Sequence, residues 1–469
     1  MGGGMVTPAE ELLAGLDEWA VGKARDEAGR EHASGQEPGG DGGQHRDDEF
    51  WGARPSLALV RDYARARRAG PWATLGVVLT RVVAATGPHV VLPPLVGGEV
   101  SLNLYVGLVG ESGSGKDAAT SAAEDAARFR GALRFTTTSL GSGEGIAHSY
   151  VRRIRVKHGD SYKDAIEQHT ESVLFTVAEI DTLLALGSRQ GSTVLAELRR
   201  AWMGSALGFA YADPAKRLPV GRHEYRLCMT AGIQPARAGV LLDDADAGTP
   251  QRWLWFPATD PDAPDLAPDE PEPLVWRMPS LPWATAHGRT RLGVCAAVRA
   301  EVDADRLAKL RGQSNGTEGH DLLCRLKAAA ALALLDGHAE IRDDDWALAG
   351  RLMAVSVAVR TQVGRTLADK AREVNRVRGE AAAEQAVVVE ERTTEHRIQR
   401  VGRGIVRILR RRGDWVAHAE LRRALASGDR KHFEDAIDRA VAAGLVEVGE
   451  AAAPGAAGGS HGRHYRVTQ

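Results

Sequence analysis

Cysteine is scarce: Cys228, Cys295 and Cys324 are the only three in 469 residues, far apart and with no C-x-x-C pair. That scarcity excludes a disulfide framework and a cysteine zinc site, and it fits a reducing, cytoplasmic setting. Charge of one sign is missing too, since 60 Lys and Arg face 62 Asp and Glu for a formal net charge of -2. The whole-chain balance points to no polyanionic partner, so any nucleic-acid surface has to be local. Long hydrophobic runs are also absent. The nearest, "TLGVVLTRVVAATGPHVVLPPLVGG", contains Arg81 and is broken by Pro and Gly. It reads as a buried helix followed by an extended segment, and no membrane partner is expected. The start, "MGGGMVTPAEELLAG", has neither the basic region nor the apolar core of a secretory signal. No internal repeat is visible.

What is present is enough apolar residue, 43%, to bury two or three cores. Residues 1–48 are rich in Gly, Ala and charge and are expected to be a disordered tail carrying one short amphipathic helix near "AEELLAGLDEWAVGKARDEAG". Residues 49–100 have apolar positions at helical spacing and form a helical lead-in. From 101 to 282 apolar runs, "SLNLYVGLVG", "SVLFTVAEI", "YRLCMTAGI" and "RWLWFPA", alternate with the helical patterns "AATSAAEDAARFRG" and "STVLAELRRAWMG". That alternation predicts an α/β fold with a parallel sheet and crossover helices. "TDPDAPDLAPDEPEPLVW" then reads as a surface connector, 283–385 as a helical lid domain, and 396–469 as a separate domain. The last segment has three helices and a two-stranded hairpin, the order of a winged helix.

"LVGESGSGKDAAT" carries the chemistry. Gly110, Gly113 and Gly115 allow successive backbone N–H groups of Gly110, Glu111, Ser112, Gly113, Ser114, Gly115, Lys116, Asp117 and Ala118 to turn toward phosphate, and a helix opens at Lys116. Because the loop follows an apolar strand and opens a helix, it reads as a P-loop whose lysine neutralises the β and γ phosphates of ATP. Asp117 stands where Ser or Thr usually holds Mg²⁺. A carboxylate can hold the metal but brings negative charge toward the phosphates, so two readings stay open: metal ligand, or helix N-terminal charge.

Hydrolysis also needs an acid at a neighbouring strand end. "VLFTVAEID" supplies Glu179 to activate water and, with Asp181, as a further metal candidate, while Ala178 occupies the metal-side position. Thr230 in "YRLCMTAGIQP" is placed beside the lytic water, and Arg252 in "GTPQRWLWF" is a candidate for γ-phosphate contact in its own or a neighbouring subunit.

From about Phe50 to Arg360 the chain resembles helicase-like P-loop ATPases of uncharacterised function from actinobacterial plasmids, phages and integrative elements, often beside or fused to primases. The stretches that carry the resemblance are "PWATLGVVLTRV", "LPPLVGGEVSLNLYVGLVGESGSGKD", "VLAELRRAWMG", "GTPQRWLWFP" and "GHDLLCRLKAAAALALLDGHAEIRDDDWALAGRLM". The resemblance implies an AAA+/RecA-like P-loop NTPase fold, ATP with Mg²⁺, a homo-oligomer, DNA as partner, and primase or other replication proteins nearby. The stretch from His320 looks like the lid of AAA+ motors, which makes Arg325, and Lys327 beside it, candidates for a second sensor. In the last domain, Arg430, Lys431, His432 and Arg439 on the third helix, Arg463, His464 and Arg466 at the wing, and Arg407, Arg410, Arg411 and Arg412 on the first helix are the DNA candidates, opposed by Glu434, Asp435 and Asp438. Two functions are therefore expected in competition: an ATP-driven DNA motor, and an ATP-switched DNA-binding regulator with little or no hydrolysis. A small-molecule kinase fits the flanking domains poorly.

Overall fold

The computed structural model describes residues 47–158, 161–181, 183, 193–209, 217–281, 288–313, 319–452 and 461–468. The amphipathic helix expected near residues 9–29 and the Gly- and Ala-rich loop of 453–460 lie outside them. The chain divides into two compact units, Met1–Ala368 and Asp369–Gln469.

The first unit is built on a five-stranded, all-parallel sheet: β1 (Tyr105–Val109), β2 (Thr136–Ser139), β3 (Ser172–Val177), β4 (Arg226–Ile233) and β5 (Trp253–Pro257). Across the sheet the order is β5-β1-β4-β3-β2. Register puts Tyr105 opposite Met229 and Trp253, and Ser172 opposite Arg226, so all strands point one way and share one carboxyl edge. Every residue of β1 and β4 is buried, as strands covered on both faces require.

Two helices precede the sheet, α1 (Pro55–Ala66) and α2 (Pro71–Ala84), each opened by a proline whose fixed φ suits the first turn. The buried α2 contacts β1, β3, β4 and β5. Gly76 permits that approach, since a Cβ there would meet Phe256 Cδ2 at 2.6 Å and Val106 Cγ1 at 2.8 Å. The segment read as a broken apolar run is thus a core helix followed by a short strand, Val90–Leu92. Among the described residues no helix is long and apolar enough to cross a membrane.

Further helices are α3 (Lys116–Ala126), α4 (Val194–Met203), α5 (Ala296–Leu310), α6 (Gly319–Leu335) and α7 (Asp343–Arg412). One expected helix is shorter than its pattern: "ARFR" leaves α3 as a strand, Ala127–Arg130, paired with Leu274–Arg277. Alternation decides this, because Phe129 packs on Trp276 and lies under the Arg81 guanidinium while Arg128 and Arg130 face out. The acidic connector beyond β5 is tied down by α1, where Arg65 pairs with Asp260 at 2.8 Å and Arg67 pairs with Glu270. Residues Val298, Cys324, Leu332 and Leu352 of α5, α6 and α7 belong to the same core as the sheet.

Arg226, fully buried at the start of β4, holds three segments together. Its five N–H groups reach Thr86 O (3.1 Å), Ser101 Oγ (2.8 Å), Asn103 Oδ1 (3.3 Å), Gly87 O (2.8 Å) and Val90 O (2.8 Å). Thr86 and Gly87 lie just past the end of α2, where carbonyls lack helical donors and the dipole favours a cation. Ser172 Oγ donates to Ala84 O at 2.6 Å and completes the cap.

The second unit holds the later residues of α7 with α8 (His418–Arg423) and α9 (Phe433–Ala442). Its sheet has three antiparallel strands, β6 (Val416–Ala417), β7 (Val446–Ala452) and β8 (His461–Val467), in the order β6-β8-β7. The expected hairpin therefore gains a third short strand, Val416 pairing with Tyr465. Ile398, Val401, Ile405, Leu409, Phe433, Ile437 and Tyr465 fill the core.

Replacing Arg226 with Leu removes a donor from each of five buried oxygens and is expected to cost about 3–5 kcal/mol, read by chemical denaturation. Arg226→Lys, with three donors, recovers only part; wild-type stability in Arg226→Leu would contradict the role assigned to it.

Candidate functional site

The loop after β1 sits at the carboxyl edge of the sheet. Gly110 N donates to Ile233 O at 3.0 Å, which fixes the loop's first residue to the end of β4. Gly113 and Gly115 have φ of +79° and +88°, which side-chain-bearing residues adopt at a cost, and Gly115 is the N-cap of α3. Ser114 packs so closely that a Cβ on Gly110 would lie 2.2 Å from Ser114 Oγ. That hydroxyl oxygen is shielded and has no hydrogen-bond partner among the described residues. Lys116 turns back over the loop and its Nζ donates to Gly110 O and Glu111 O, each at 2.9 Å. Glu111, Ser112, Asp117 and Ala118 are exposed.

Gly232 joins this loop to the acid segment. A Cβ there would stand 2.2 Å from Ala178 O and 3.4 Å from Lys116 Cε, and Gly232 O accepts from Ile180 N at 2.9 Å. Glu179 follows β3 by two residues, half-buried, at the edge that also holds Lys116. Ala178 is exposed, and Asp181 forms an ion pair with Arg237. Among the described residues no three His, Cys, Asp or Glu side chains converge as a metal site, and Mg²⁺ beside phosphates needs only one or two protein oxygens.

Four expected residues, Thr230, Arg252, Arg325 and Lys327, fall elsewhere. Thr230 is buried mid-strand, opposite Val106 and Thr176, so it does not reach the edge. The polar side chain leaving the end of β4 is Gln234, and Pro235 after it was the available signal for where the strand stops. Arg252 precedes β5 and thus lies at the opposite edge, about 17 Å of strand away from the loop. It is 8% exposed, its Nη1 donates to Ala247 O (2.8 Å) and Gly248 O (2.6 Å), and its guanidinium lies 5.6 Å from the Trp202 ring centre. So held, it is not brought to this loop. Burial and the nearby Arg199 lower its pKa.

Arg325 stacks 3.8 Å from the centre of the Trp346 ring and pairs with Glu301 at 3.0 Å. Lys327, on the same helix, donates to Asn103 O at 2.9 Å and to Trp202 O. Asn103 precedes β1, so α6 meets the sheet where the strands begin, and neither cation is brought to the loop. Complete burial drives the Lys327 pKa far down.

No protein-family model matches the chain, and no curated protein matches it.

In the second unit the expected DNA contacts are mostly engaged within the fold. Arg430, Lys431 and His432 lie on a 3₁₀ turn before α9, where Arg430 donates to Leu425 O and Arg423 O, both at 3.1 Å, and His432 is buried. Lys431 is exposed. Arg439 pairs with Glu395 at 2.5 Å; Arg466 pairs with Glu447 at 2.7 Å and covers Trp415; Arg463 lies beside the Tyr465 hydroxyl. The rest of α9's exposed face is Glu434, Asp435 and Asp438, which repel phosphate. Of the expected first-helix arginines, Arg407, Arg410 and Arg411, with Arg403, line a groove of about 880 Å³ around Val406, Ala440 and Leu445, while Arg412 pairs with Glu420 at 3.0 Å.

Gly232→Ala is expected to push the acid segment off the loop. A stability loss of about 1–3 kcal/mol in denaturant is predicted, with weakened binding of a fluorescent ATP analogue. Unchanged stability and binding would show that the close approach is dispensable.

Proposed function

We propose that the first unit binds ATP at Gly110–Asp117 and hydrolyses it, and that the chain is a helicase-like replication factor of a mobile element, acting on DNA as an oligomer. The observation that carries the reading is the shared edge: the glycine loop with Lys116, the Glu179 segment and Gln234 all leave the same end of a parallel sheet, with β4 between the other two strands. An AAA+/RecA-like P-loop fold is supported by that order.

The residues present fit a triphosphate. The first turn of α3 offers backbone N–H groups without helical acceptors, Ser114 Oγ is an unused shielded hydroxyl, and the loop carbonyls that hold Lys116 are acceptors an anion would replace. ATP with Mg²⁺ would supply the phosphoryl group and the charge neutralisation that its transfer to water requires. Lys116 binds the phosphates, Glu179 takes a proton from the attacking water, and Gln234 orients that water. Asp117, following Lys116 at the opening of α3, is the residue left to hold the metal, since Ala178 has no donor and Asp181 is engaged by Arg237. The same three facts favour the second reading, an ATP-switched DNA-binding regulator with little or no hydrolysis.

ATP turnover measured across Mg²⁺ concentrations, with and without single-stranded and duplex DNA, separates them. The motor reading expects DNA-stimulated turnover that Lys116→Ala abolishes and that Glu179→Gln lowers by about 10²–10⁴-fold while ATP still binds. ATP binding without turnover in the wild type selects the regulator, and no ATP binding refutes both.

Asp117→Ala is expected to raise the Mg²⁺ concentration needed for half-maximal turnover. Full activity with unchanged Mg²⁺ dependence removes the metal role from Asp117.

A further inference from the structure

Between the short helix Gly143–His148 and β3 the chain forms a two-stranded antiparallel ribbon, Val151–His158 with Ser161–Gln168. Its root is fixed: the buried Tyr150 donates its hydroxyl to Arg226 O at 2.9 Å, its carbonyl accepts from His169 N at 2.9 Å, and Gln168 Nε2 donates to Glu224 O at 2.8 Å. Beyond the root both faces are open, with only Val151 buried. A two-stranded ribbon has little stability of its own, so these side chains are not explained by packing within the fold.

The ribbon is cationic although the whole chain is not. Arg152, Arg153, Arg155, Lys157 and Lys163 face only Asp164 and Glu167 among its described residues. Arg152 is paired with Glu167 at 2.7 Å, whereas Arg155 and Asp164 are 4.0 Å apart and both exposed, a contact that salt screens. Cross-strand partners share a face, so Arg153 with Ile166, Arg155 with Asp164 and Lys157 with Tyr162 form one surface. Its cations recur every second residue, about 6.8 Å apart, comparable with the phosphate repeat of an extended single strand. Tyr162 is 61% exposed, with the Arg155 guanidinium 5.8 Å from its ring centre.

We propose that this ribbon is a contact surface for single-stranded nucleic acid, with Arg155 and Lys157 on phosphates and Tyr162 stacked on a base. An exposed ring beside spaced cations suits unpaired bases, whose faces a duplex hides. The surface shares the partner class of the proposed function and needs nothing from the nucleotide loop. The ribbon runs into β3, whose far end leads to Glu179.

The test uses the full chain, a fluorescent oligothymidine and a duplex of equal length. Arg155→Glu with Lys157→Glu is expected to weaken single-strand binding at least about tenfold, Tyr162→Ala by several-fold, and Arg155→Lys little. The slope of log affinity against log salt becomes shallower by about 0.7 for each phosphate that the variant no longer neutralises. An iodouracil-containing strand crosslinked by light is expected on the peptide containing Tyr162, a readout other DNA-binding surfaces cannot mimic. Circular dichroism and the thermal unfolding midpoint report that each variant is folded, and if the double variant fails there, Tyr162→Ala and the crosslink decide. Unchanged affinity in the folded double variant, binding to duplex alone, or crosslinks mapping only elsewhere overturns the proposal and leaves the ribbon to a protein partner. Failure of ATP binding in the wild type would refute the nucleotide site without touching this one.

Discussion

A guanidinium without a carboxylate organises the first unit. Arg226 is wholly removed from water, and the absence of solvent lowers its pKa to about 10, which still leaves it charged at neutral pH. Its charge is met by the end of α2 and by side-chain oxygens of the segment leading into β1, so the cation replaces hydration with fixed dipoles. Burying an ion this way succeeds only when every donor is used, and all five are. The consequence is geometric: β4 starts at one defined height relative to α2 and β1. The residues seven and six positions along, Ile233 and Gly232, then meet Gly110 and Ile180 in register.

The two ends of the sheet divide their labour accordingly. Where the strands begin, Arg226, Lys327 and Arg252 are packed against carbonyls and the Trp202 ring, so this edge is structural. Where the strands end, Lys116, Glu179 and Gln234 are half-exposed and the backbone is rich in glycine. Cations that a linear reading ranks alike thus differ by which end of a strand they flank.

That distinction marks what sequence could reveal. The loop, its strand and the acid segment were legible because each is a local pattern with a local physical meaning. Arg252 and Arg325 were not, since their surroundings come from Trp202 and Trp346, distant in sequence and invisible to spacing. Thr230 lies four residues short of Gln234 because β4 continues through Ile233, and only Pro235 announces its end. The ribbon went unread although Arg-Ile-Arg-Val-Lys-His alternates around Gly159 and Asp160: alternation without burial looks like surface. In the second unit three helical segments were expected from their apolar spacing and are present, whereas Val416–Ala417, two residues long, offered no periodicity to detect.

Gly232 has a consequence that reaches beyond packing. Two successive carbonyls, of Gly232 and of Ile233, bond the acid segment and the glycine loop respectively, so the two are not independently adjustable. Under the proposed function, small steps in β4 therefore cannot trade ATP affinity against turnover, because any shift that lifts one half lifts the other. The side chains free to vary there are those that sit on the edge without bearing its height, of which Asp117 and Gln234 are the exposed and half-buried examples.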